Sequence, residues 1–147
     1  MQLHAKQILV PCGWIVPQQT VQGPHLFVAG EAVTDRRDRI VELTSGHTLF
    51  GPGAIPWEVG NAFSAMLKHR RLTLAEAQEG LRIFHAVPLR FVKVDLANAL
   101  SLAHQAGLYA YDAYFLDCAS RHAAPLLTLD RGLKQAAKGI GIRLMEV

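Results

Sequence analysis

Three acidic side chains stand where a fold could bring carboxylates together. Glu58 follows Pro56 at the start of an amphipathic segment, and Asp112 lies near the start of the helical segment "YDAYFLDCASRH". Asp130 ends the apolar run "PLLTLD". Clustered carboxylates repel one another unless a cation neutralises them, and hard oxygen ligands suit Mg²⁺ or Mn²⁺. The pattern therefore predicts a metal site held by these three acids, at the edge of a sheet where strand ends and helix starts converge.

Each acid also has a purely structural interpretation. The positive end of a helix dipole stabilises a carboxylate in the first turn by about 0.3–1 kcal/mol, which would be reason enough for Glu58 or Asp112 alone. Asp117 follows Asp112 by five residues, about 140° around a helix, so the two cannot serve one site. We therefore expect Asp117 on the surface, paired with Arg121 four residues later.

Two polar residues are candidates for supporting the acids. Asn61 follows Glu58 by three residues and shares its helix face, so it could orient the carboxylate or bind a metal-held water. Thr128 precedes Asp130 by two residues and points to the same side of a strand. A packing or capping role is the alternative for both.

The elements that must position these residues alternate along the chain. Helices are predicted for the charged region from Leu26 to Thr44, for "WEVGNAFSAMLKHRR", for a segment whose capping box joins Thr73 to Glu76, for "LANALSLAHQAG" between Asp95 and Gly107, for "YDAYFLDCASRH", and for "RGLKQAAKG". Strands are predicted near His47 to Phe50 and for "PLRFVKV", "APLLTLD" and "GIRLMEV". Apolar strands without alternation, separated by helices, predict a central parallel sheet in a three-layer α/β/α fold. The 147 residues are predicted to form one domain.

Composition limits the classes of function. Half of the residues are hydrophobic and the net charge is +3, which allows one substantial core and favours anionic partners. The sequence contains neither a membrane-span pattern nor a signal peptide, so we expect a soluble, cytoplasmic protein. Cys12 and Cys118 lack metal-ligand spacing, and Cys118 is predicted to be a small core residue. Esterase, Walker, dinucleotide and zinc motifs are also missing from the sequence.

The acidic segments resemble a known family when taken together. "PWEVGNAF", "YAYDAYFLDCA" and "APLLTLDRGL" are similar in type, order and spacing to the three later acidic motifs of PIN-domain ribonucleases, most closely the VapC-type toxins of toxin–antitoxin pairs. The resemblance covers roughly residues 39 to 147. It implies an α/β/α fold and an endoribonuclease dependent on Mg²⁺ or Mn²⁺, with Glu58, Asp112 and Asp130 as metal-binding catalytic acids. It also implies an RNA substrate and a cognate antitoxin as partner.

The sequence departs from the family at its first acidic motif. The segment "LFVAGEAV" fits without gaps from Leu26 onward, but Gly23, Pro24 and His25 stand where an Asp-Thr-Asn-like motif is expected. Residues 1–25 are therefore either a degenerate copy of that region or not the native reading of the gene. Glycine supplies no ligand, and His25 suits Mg²⁺ less well than a carboxylate.

The missing acid leaves two alternatives to the nuclease. One is a catalytically impaired PIN-like domain that binds RNA or a protein. The other is an interaction domain whose apolar helix surfaces pack against an antitoxin or a second copy as a homodimer, although packing within one chain also explains those surfaces. In the nuclease, exposed cations would contact RNA phosphates, and the candidates are Lys68, Arg70, Arg71, Arg131 and Lys134. For "KHRR" the alternative is the polar end of a helix.

Overall fold

The computed structural model describes residues 16–20, 23–28, 31–32, 39–40 and 42–146, with side chains for 39–40 and 42–146. The elements in chain order are β1 (Val16–Thr20), β2 (Gly23–Val28), β3 (Glu31–Ala32), β4 (Leu49–Pro52), α1 (Ile55–Lys68), α2 (Leu74–Ala86), β5 (Leu89–Val92), α3 (Leu96–Ala106), α4 (Ala110–Arg121) and α5 (Arg131–Gly139). Within this part of the chain, no helix combines the length and apolar content that crossing a membrane would require.

Parallel pairing joins distant parts of the chain. Strands β4 and β5 pair in parallel, from Leu49 opposite Leu89 onward, and α1 and α2 form the crossover between them. A parallel bridge also joins Leu126 to Leu144. In this bridge the Leu126 amide donates to the Arg143 carbonyl at 2.8 Å. The prediction of an α/β fold with parallel pairing and flanking helices is confirmed.

Two predicted strands are shorter in the structure. "APLLTLD" and "GIRLMEV" contribute only the single bridge between Leu126 and Leu144. After Leu126, side chains bond to backbone amides that a neighbouring strand would otherwise pair with. The Asp130 amide donates to the Thr128 hydroxyl at 3.1 Å, and the Asp130 carboxylate accepts from the Leu133 amide. Such local bonds replace a strand ladder. The strand predicted from His47 begins two residues later, at Leu49.

The helix predicted from Leu26 onward is wrong for its first part. Residues 26–28 lie in β2, which pairs antiparallel with β1, and β3 pairs with the other side of β2. Phenylalanine and valine, present here as Phe27 and Val28, are among the residue types that are enriched in strands. Helical backbone is described at residues 39–40 and 42–44. Predictions for residues 1–15, including Cys12, lie outside the described residues.

The helix boundaries follow local capping chemistry. Thr73 and Glu76 form the predicted capping box, in which each side chain bonds to the other residue's backbone amide. Asp95 caps α3 by accepting from the Asn98 amide at 3.1 Å. Gly107 ends α3 with a φ of 64°, a left-handed conformation that glycine adopts without steric cost. Both ends of α3 are therefore as predicted.

One hydrophobic core joins the helices that carry the candidate acids. Its buried side chains come from α1, α2, α4 and α5, from Leu72 just before α2, and from the bridge residue Leu126. Helix α1 contributes Ile55, Val59 and Phe63 at the spacing of one helix face. Helix α4 contributes Phe115 and Leu116 to the same cluster. The first turns of α1 and α4 are thus fixed relative to one another by packing.

Close approach of α1 and α2 depends on a glycine. A Cβ added at Gly80 would lie 2.5 Å from the Cζ of Phe63, whose ring is buried. We expect Gly80→Ala to lower the free energy of unfolding by about 1–3 kcal/mol, because this overpacking outweighs alanine's helix preference. At Gly60 in α1 an added Cβ meets nothing within 4 Å. Both variants are measured by urea titration, in which Gly60→Ala should leave the free energy of unfolding unchanged or raise it. A Gly80→Ala protein that is more stable than the native protein would contradict the close packing of Phe63 against Gly80.

Candidate active site

The first turns of α1 and α4 bring two carboxylates together. Glu58 lies in the first turn of α1, and Asp112 lies in the first turn of α4, only 8% exposed. Oε1 of Glu58 is buried and accepts no hydrogen bond from the residues that the structure describes. Burial, and secondly the negative charge of Asp112, raise the pKa of Glu58 to about 7. The two predicted acids therefore form an electrostatically coupled pair.

Asp130 serves as the cap of α5. Its Oδ1 accepts from the Leu133 amide at 2.7 Å, and its own amide donates to the hydroxyl of Thr128. Thr128 is fully buried, so it holds the backbone of Asp130 in place. Thr128 therefore contacts the backbone of Asp130, and its predicted role beside a metal site stays a prediction. A carboxylate that caps a helix retains a second oxygen that can accept further ligands.

The arrangement fits a cation at the Glu58 and Asp112 pair. Two hard oxygen ligands suit a divalent ion that would offset their repulsion, and one of them is buried without a hydrogen-bond donor among the described residues. Across residues 39–40 and 42–146, no group of three or more His, Cys, Asp or Glu side chains is placed to hold a metal. The participation of Asp130 beside the pair therefore stays a prediction.

The coupled pair gives the stability of the protein a particular pH dependence. Because the pKa of Glu58 is raised from 4.5 to about 7, the folded protein holds a proton that the unfolded chain releases. The stability that this extra proton on Glu58 contributes is fully present below pH 4.5 and is lost as the pH rises to about 7. We expect Glu58→Gln to gain stability relative to the native protein across this window, measured by melting between pH 5 and pH 8.

Glu76→Gln provides the matched control. A capping-box interaction with Thr73 lowers the pKa of the exposed Glu76, so its titration lies below the window, and glutamine can still complete the box. Its melting difference from the native protein should not change between pH 5 and pH 8. If the melting difference between Glu58→Gln and the native protein also stays constant between pH 5 and pH 8, the surroundings of Glu58 do not destabilise its charged carboxylate.

The prediction that Asp117 lies on the surface is wrong, because its side chain is 0% exposed. Its Oδ2 accepts from the Asp95 amide at 2.9 Å, and its Oδ1 accepts from Nδ2 of Asn98 at 2.7 Å. The predicted partner Arg121 does lie within 3.4 Å of Oδ2. Asp117 is buried because it ties α4 to the first turn of α3, a tertiary contact that helix periodicity cannot reveal.

The predicted cations lie at two separate places. Lys68, Arg70 and Arg71 are exposed around the C-terminal end of α1. Lys68 is ten residues beyond Glu58, which corresponds to about 15 Å along the helix. Arg131 is also exposed and directly follows Asp130. Of these cations, Arg131 is adjacent in sequence to a candidate acid, whereas the "KHRR" group lies at the opposite end of α1 from Glu58.

Three further residues near the acids received no role from the sequence. Trp57, Tyr109 and Tyr111 are exposed aromatic side chains. The signal that could have identified them is their position, since each lies within three residues of Glu58 or Asp112. Asn61 is also exposed, so its predicted role in orienting Glu58 remains a prediction.

Cys118 is a core residue, as predicted. It is a free thiol that is 3% exposed, on the same helix as Asp112. Burial, and secondly the charge of Asp117, raise the pKa of the thiol to about 11. Cys118 is therefore a poor nucleophile at neutral pH, because the thiolate is the reactive form. The acids remain the chemically plausible groups of this region.

The fold and the acid pair together define an α/β protein whose candidate site lies at helix N-termini. The family model of the PIN domain matches residues 26–139, well over half of the chain. The chain therefore belongs to the PIN domain family. Among curated proteins, no significant match to this chain is found.

Family membership supports a class of activity. PIN domains are generally nucleases and typically use divalent metals, so the family supports a hydrolase role for this chain. The matched range begins at Leu26, so Gly23, Pro24 and His25 lie before it. His25 is paired with Gln18 in the antiparallel ladder of β1 and β2.

Proposed function

We propose that the protein is a divalent-metal-dependent endoribonuclease of the VapC toxin type. The observation that carries this proposal is the coupled pair of Glu58 and Asp112, with Oε1 of Glu58 buried and unmatched by any described donor. A buried acceptor facing a second carboxylate costs stability unless something positive neutralises it. Nuclease chemistry gives a reason for retaining such a pair.

Glu58 and Asp112 would hold Mg²⁺ or Mn²⁺, with Asp130 as a further acid. When bound, the ion would activate water and stabilise charge developing on a phosphodiester oxygen. The chain's own contribution is positional. Core packing fixes the first turns of α1 and α4, and the buried Thr128 fixes the backbone of Asp130. Arg131, which is exposed and directly follows Asp130, would bind a phosphate of the RNA backbone.

The decisive experiment is cleavage of a panel of tRNA and single-stranded RNA by the purified protein. We expect cleavage with Mn²⁺ or Mg²⁺ and none with EDTA. The products should carry 5′-phosphate and 3′-hydroxyl ends, which mass spectrometry distinguishes from cyclic phosphates. Cleavage that persists in EDTA, or cyclic phosphate ends, would exclude metal-assisted hydrolysis of this kind.

Asp130→Asn separates the capping role of this residue from its proposed chemical role. Asparagine caps helices about as well as aspartate, so the free energy of unfolding should change by less than about 1 kcal/mol. We expect cleavage to fall by about 10- to 100-fold because one carboxylate charge is lost. Asp130→Ala should lose both the helix cap and the cleavage activity. Full cleavage by a stable Asp130→Asn protein would assign this residue to capping alone.

A second candidate function is a PIN-like module that binds RNA or protein without cleaving. Two observations favour it: Gly23–His25 occupy an antiparallel strand, and the described side chains include no group of three metal ligands. Titration calorimetry with Mn²⁺ at neutral pH separates the two candidates. Binding that is lost in Asp112→Asn supports the nuclease, whereas absence of binding by a folded protein supports the module.

The VapC assignment also implies partners. A cognate antitoxin would cover the toxin, and a second copy of the chain could form a homodimer. The genomic neighbourhood provides a direct check, because a small DNA-binding antitoxin encoded immediately upstream is expected for a toxin pair. Co-expression of that neighbour should yield a complex and suppress cleavage.

A further inference from the structure

A cavity of about 180 Å³ is bounded by strand β4 and by the segment that holds the bridge residue Leu126. Two unbroken runs of residues line it, 47–52 and 124–127, together with Phe115 and Cys118 of α4. Successive side chains of an extended segment point to opposite faces, so a cavity on one face of a strand would be lined by alternate residues. Unbroken runs on both segments indicate that strand edges, rather than strand faces, border this space.

The edge of β4 that faces away from β5 is the first of these two edges. The Gly53 amide donates to the Val92 carbonyl at 3.1 Å, which continues the parallel ladder of β4 and β5. Residues of a ladder direct their backbone groups alternately to the two sides, so those of Phe50, three positions before Gly53, point away from β5. Within the described residues the sheet that contains β4 has two strands, so no third strand pairs with this edge.

The segment around Leu126 has a similar edge. The Leu126 amide donates to the Arg143 carbonyl at 2.8 Å, and the Leu126 carbonyl accepts from the Met145 amide at 2.9 Å. Both backbone groups of Leu126 are therefore already paired. The same alternation directs the backbone groups of the next residue, Leu127, to the opposite side. Because Leu127 also lines the cavity, a second strand edge borders the same space as the edge of β4.

Only an extended strand can pair with two such edges at once. A strand offers amides and carbonyls on both of its sides, whereas a helix uses its backbone groups internally. The lining of the cavity is mostly apolar, and Phe115 and Cys118 of α4 contribute to it. A strand with neighbours on both sides and helices packed against it reads as a continuous apolar run. The occupant that fits this cavity is therefore a short apolar strand.

We propose that residues 7–10 of this chain, with the sequence QILV, form this strand and complete the sheet. The segment lies outside the described residues. Ile8, Leu9 and Val10 supply the continuous apolar run that a strand buried on both faces requires. The segment has the same four-residue length as β4. Pro11 has no amide to donate, so a ladder would end there.

A segment of the same chain is favoured over a strand from a partner. The cavity is bounded by Ile55 and Leu126, which belong to the hydrophobic core of this chain. A strand supplied by another molecule would leave that core incomplete until the two molecules met. A tethered segment has an effective concentration on the order of millimolar, which favours pairing within one chain.

Hydrogen exchange of the native full-length protein tests the strand without any substitution. Amides paired in a sheet exchange only when the structure opens. The amides of residues 8–10 should therefore exchange at least about 100-fold more slowly than those of an unfolded peptide of the same sequence. Peptides that cover β5 provide the comparison for a paired strand. Exchange of residues 8–10 as fast as in the unfolded peptide would overturn the inference.

Disulfide formation with Cys118 tests where the segment lies. Ile8→Cys and Leu9→Cys are made separately in a Cys12→Ser protein, in which Cys118 is the remaining native thiol, and are oxidised with copper phenanthroline. Adjacent residues of a strand point to opposite faces, so one of the two positions should link to Cys118 and the other should not. Leu3→Cys in the same background lies outside the proposed strand and is the matched control, which should not link.

Each outcome of the oxidation decides for or against the inference. A disulfide within one chain at only one of the two positions supports it. Linkage at both positions, or at neither, would overturn it, because the segment would not be a strand beside α4. A disulfide between two chains, seen as a dimer on a non-reducing gel, would also overturn it, because a second copy would then supply the strand. Neither measurement involves RNA cleavage, so the result is independent of the proposed function.

Discussion

Replacing Asp112 by asparagine will lower metal-dependent RNA cleavage by about 100-fold or more. Asparagine has nearly the same shape but lacks the charge that would hold a cation beside Glu58. Removal of residues that merely support metal ligands costs about 10- to 100-fold in other enzymes, so loss of a ligand should cost at least as much. The measurement is the initial rate of cleavage with saturating Mn²⁺, together with a circular dichroism spectrum to confirm folding.

Asp95→Asn is the matched control for this substitution. Asp95 is an exposed acid that caps α3, and asparagine caps equally well, so this variant should fold and cleave like the native protein. If Asp112→Asn and Asp95→Asn cleave at the same rate, Asp112 is not part of the reaction. EDTA should remove the activity of the control variant. Any cleavage that persists in EDTA would come from a contaminating metal-independent nuclease.

Asp117→Ala will destabilise the protein by about 3 kcal/mol. The substitution leaves two donors, the Asp95 amide and Nδ2 of Asn98, without their acceptor. Each of these hydrogen bonds to the fully buried, charged Asp117 contributes about 1.5–3 kcal/mol. The exposed Arg121 adds little, because an ion pair open to solvent is weak. For a chain of this size the melting temperature should fall by on the order of 10 °C, measured by calorimetry.

Glu79→Ala controls for the loss of an acid from an ion pair. Glu79 pairs with Arg82 on the exposed face of α2, where solvent screens the interaction. Its removal should scarcely change the melting temperature. A fall for Asp117→Ala no larger than that for Glu79→Ala would mean that the buried hydrogen bonds do not stabilise the junction of α3 and α4.

Helices were predictable from sequence because their signals are local. The capping box of Thr73 and Glu76 and the boundaries Asp95 and Gly107 each depend on residues a few positions apart. Strands need distant partners, which explains the errors. Pairing of β2 with β1 replaces the helix predicted from Leu26, and the bridge of Leu126 to Leu144 is shorter than either predicted strand.

The candidate site was predictable in part for the same reason. First-turn placement and order along the chain indicated Glu58 and Asp112, and the structure brings these two together. Asp117 shows the limit of such reasoning. Its partners, Asp95 and Asn98, lie on another helix, so only the packing of α3 against α4 reveals that it is buried.

Oε1 of Glu58, which accepts no hydrogen bond from the part of the chain that the structure describes, has a consequence for laboratory evolution. A residue that destabilises the native state at neutral pH is a position where many substitutions raise heat resistance. A library screened only for resistance to heating at pH 8 will therefore enrich changes at position 58. Under the proposed function, those survivors would be the proteins least able to bind a divalent cation, so a thermostability screen of this protein would need to score RNA cleavage in the same round.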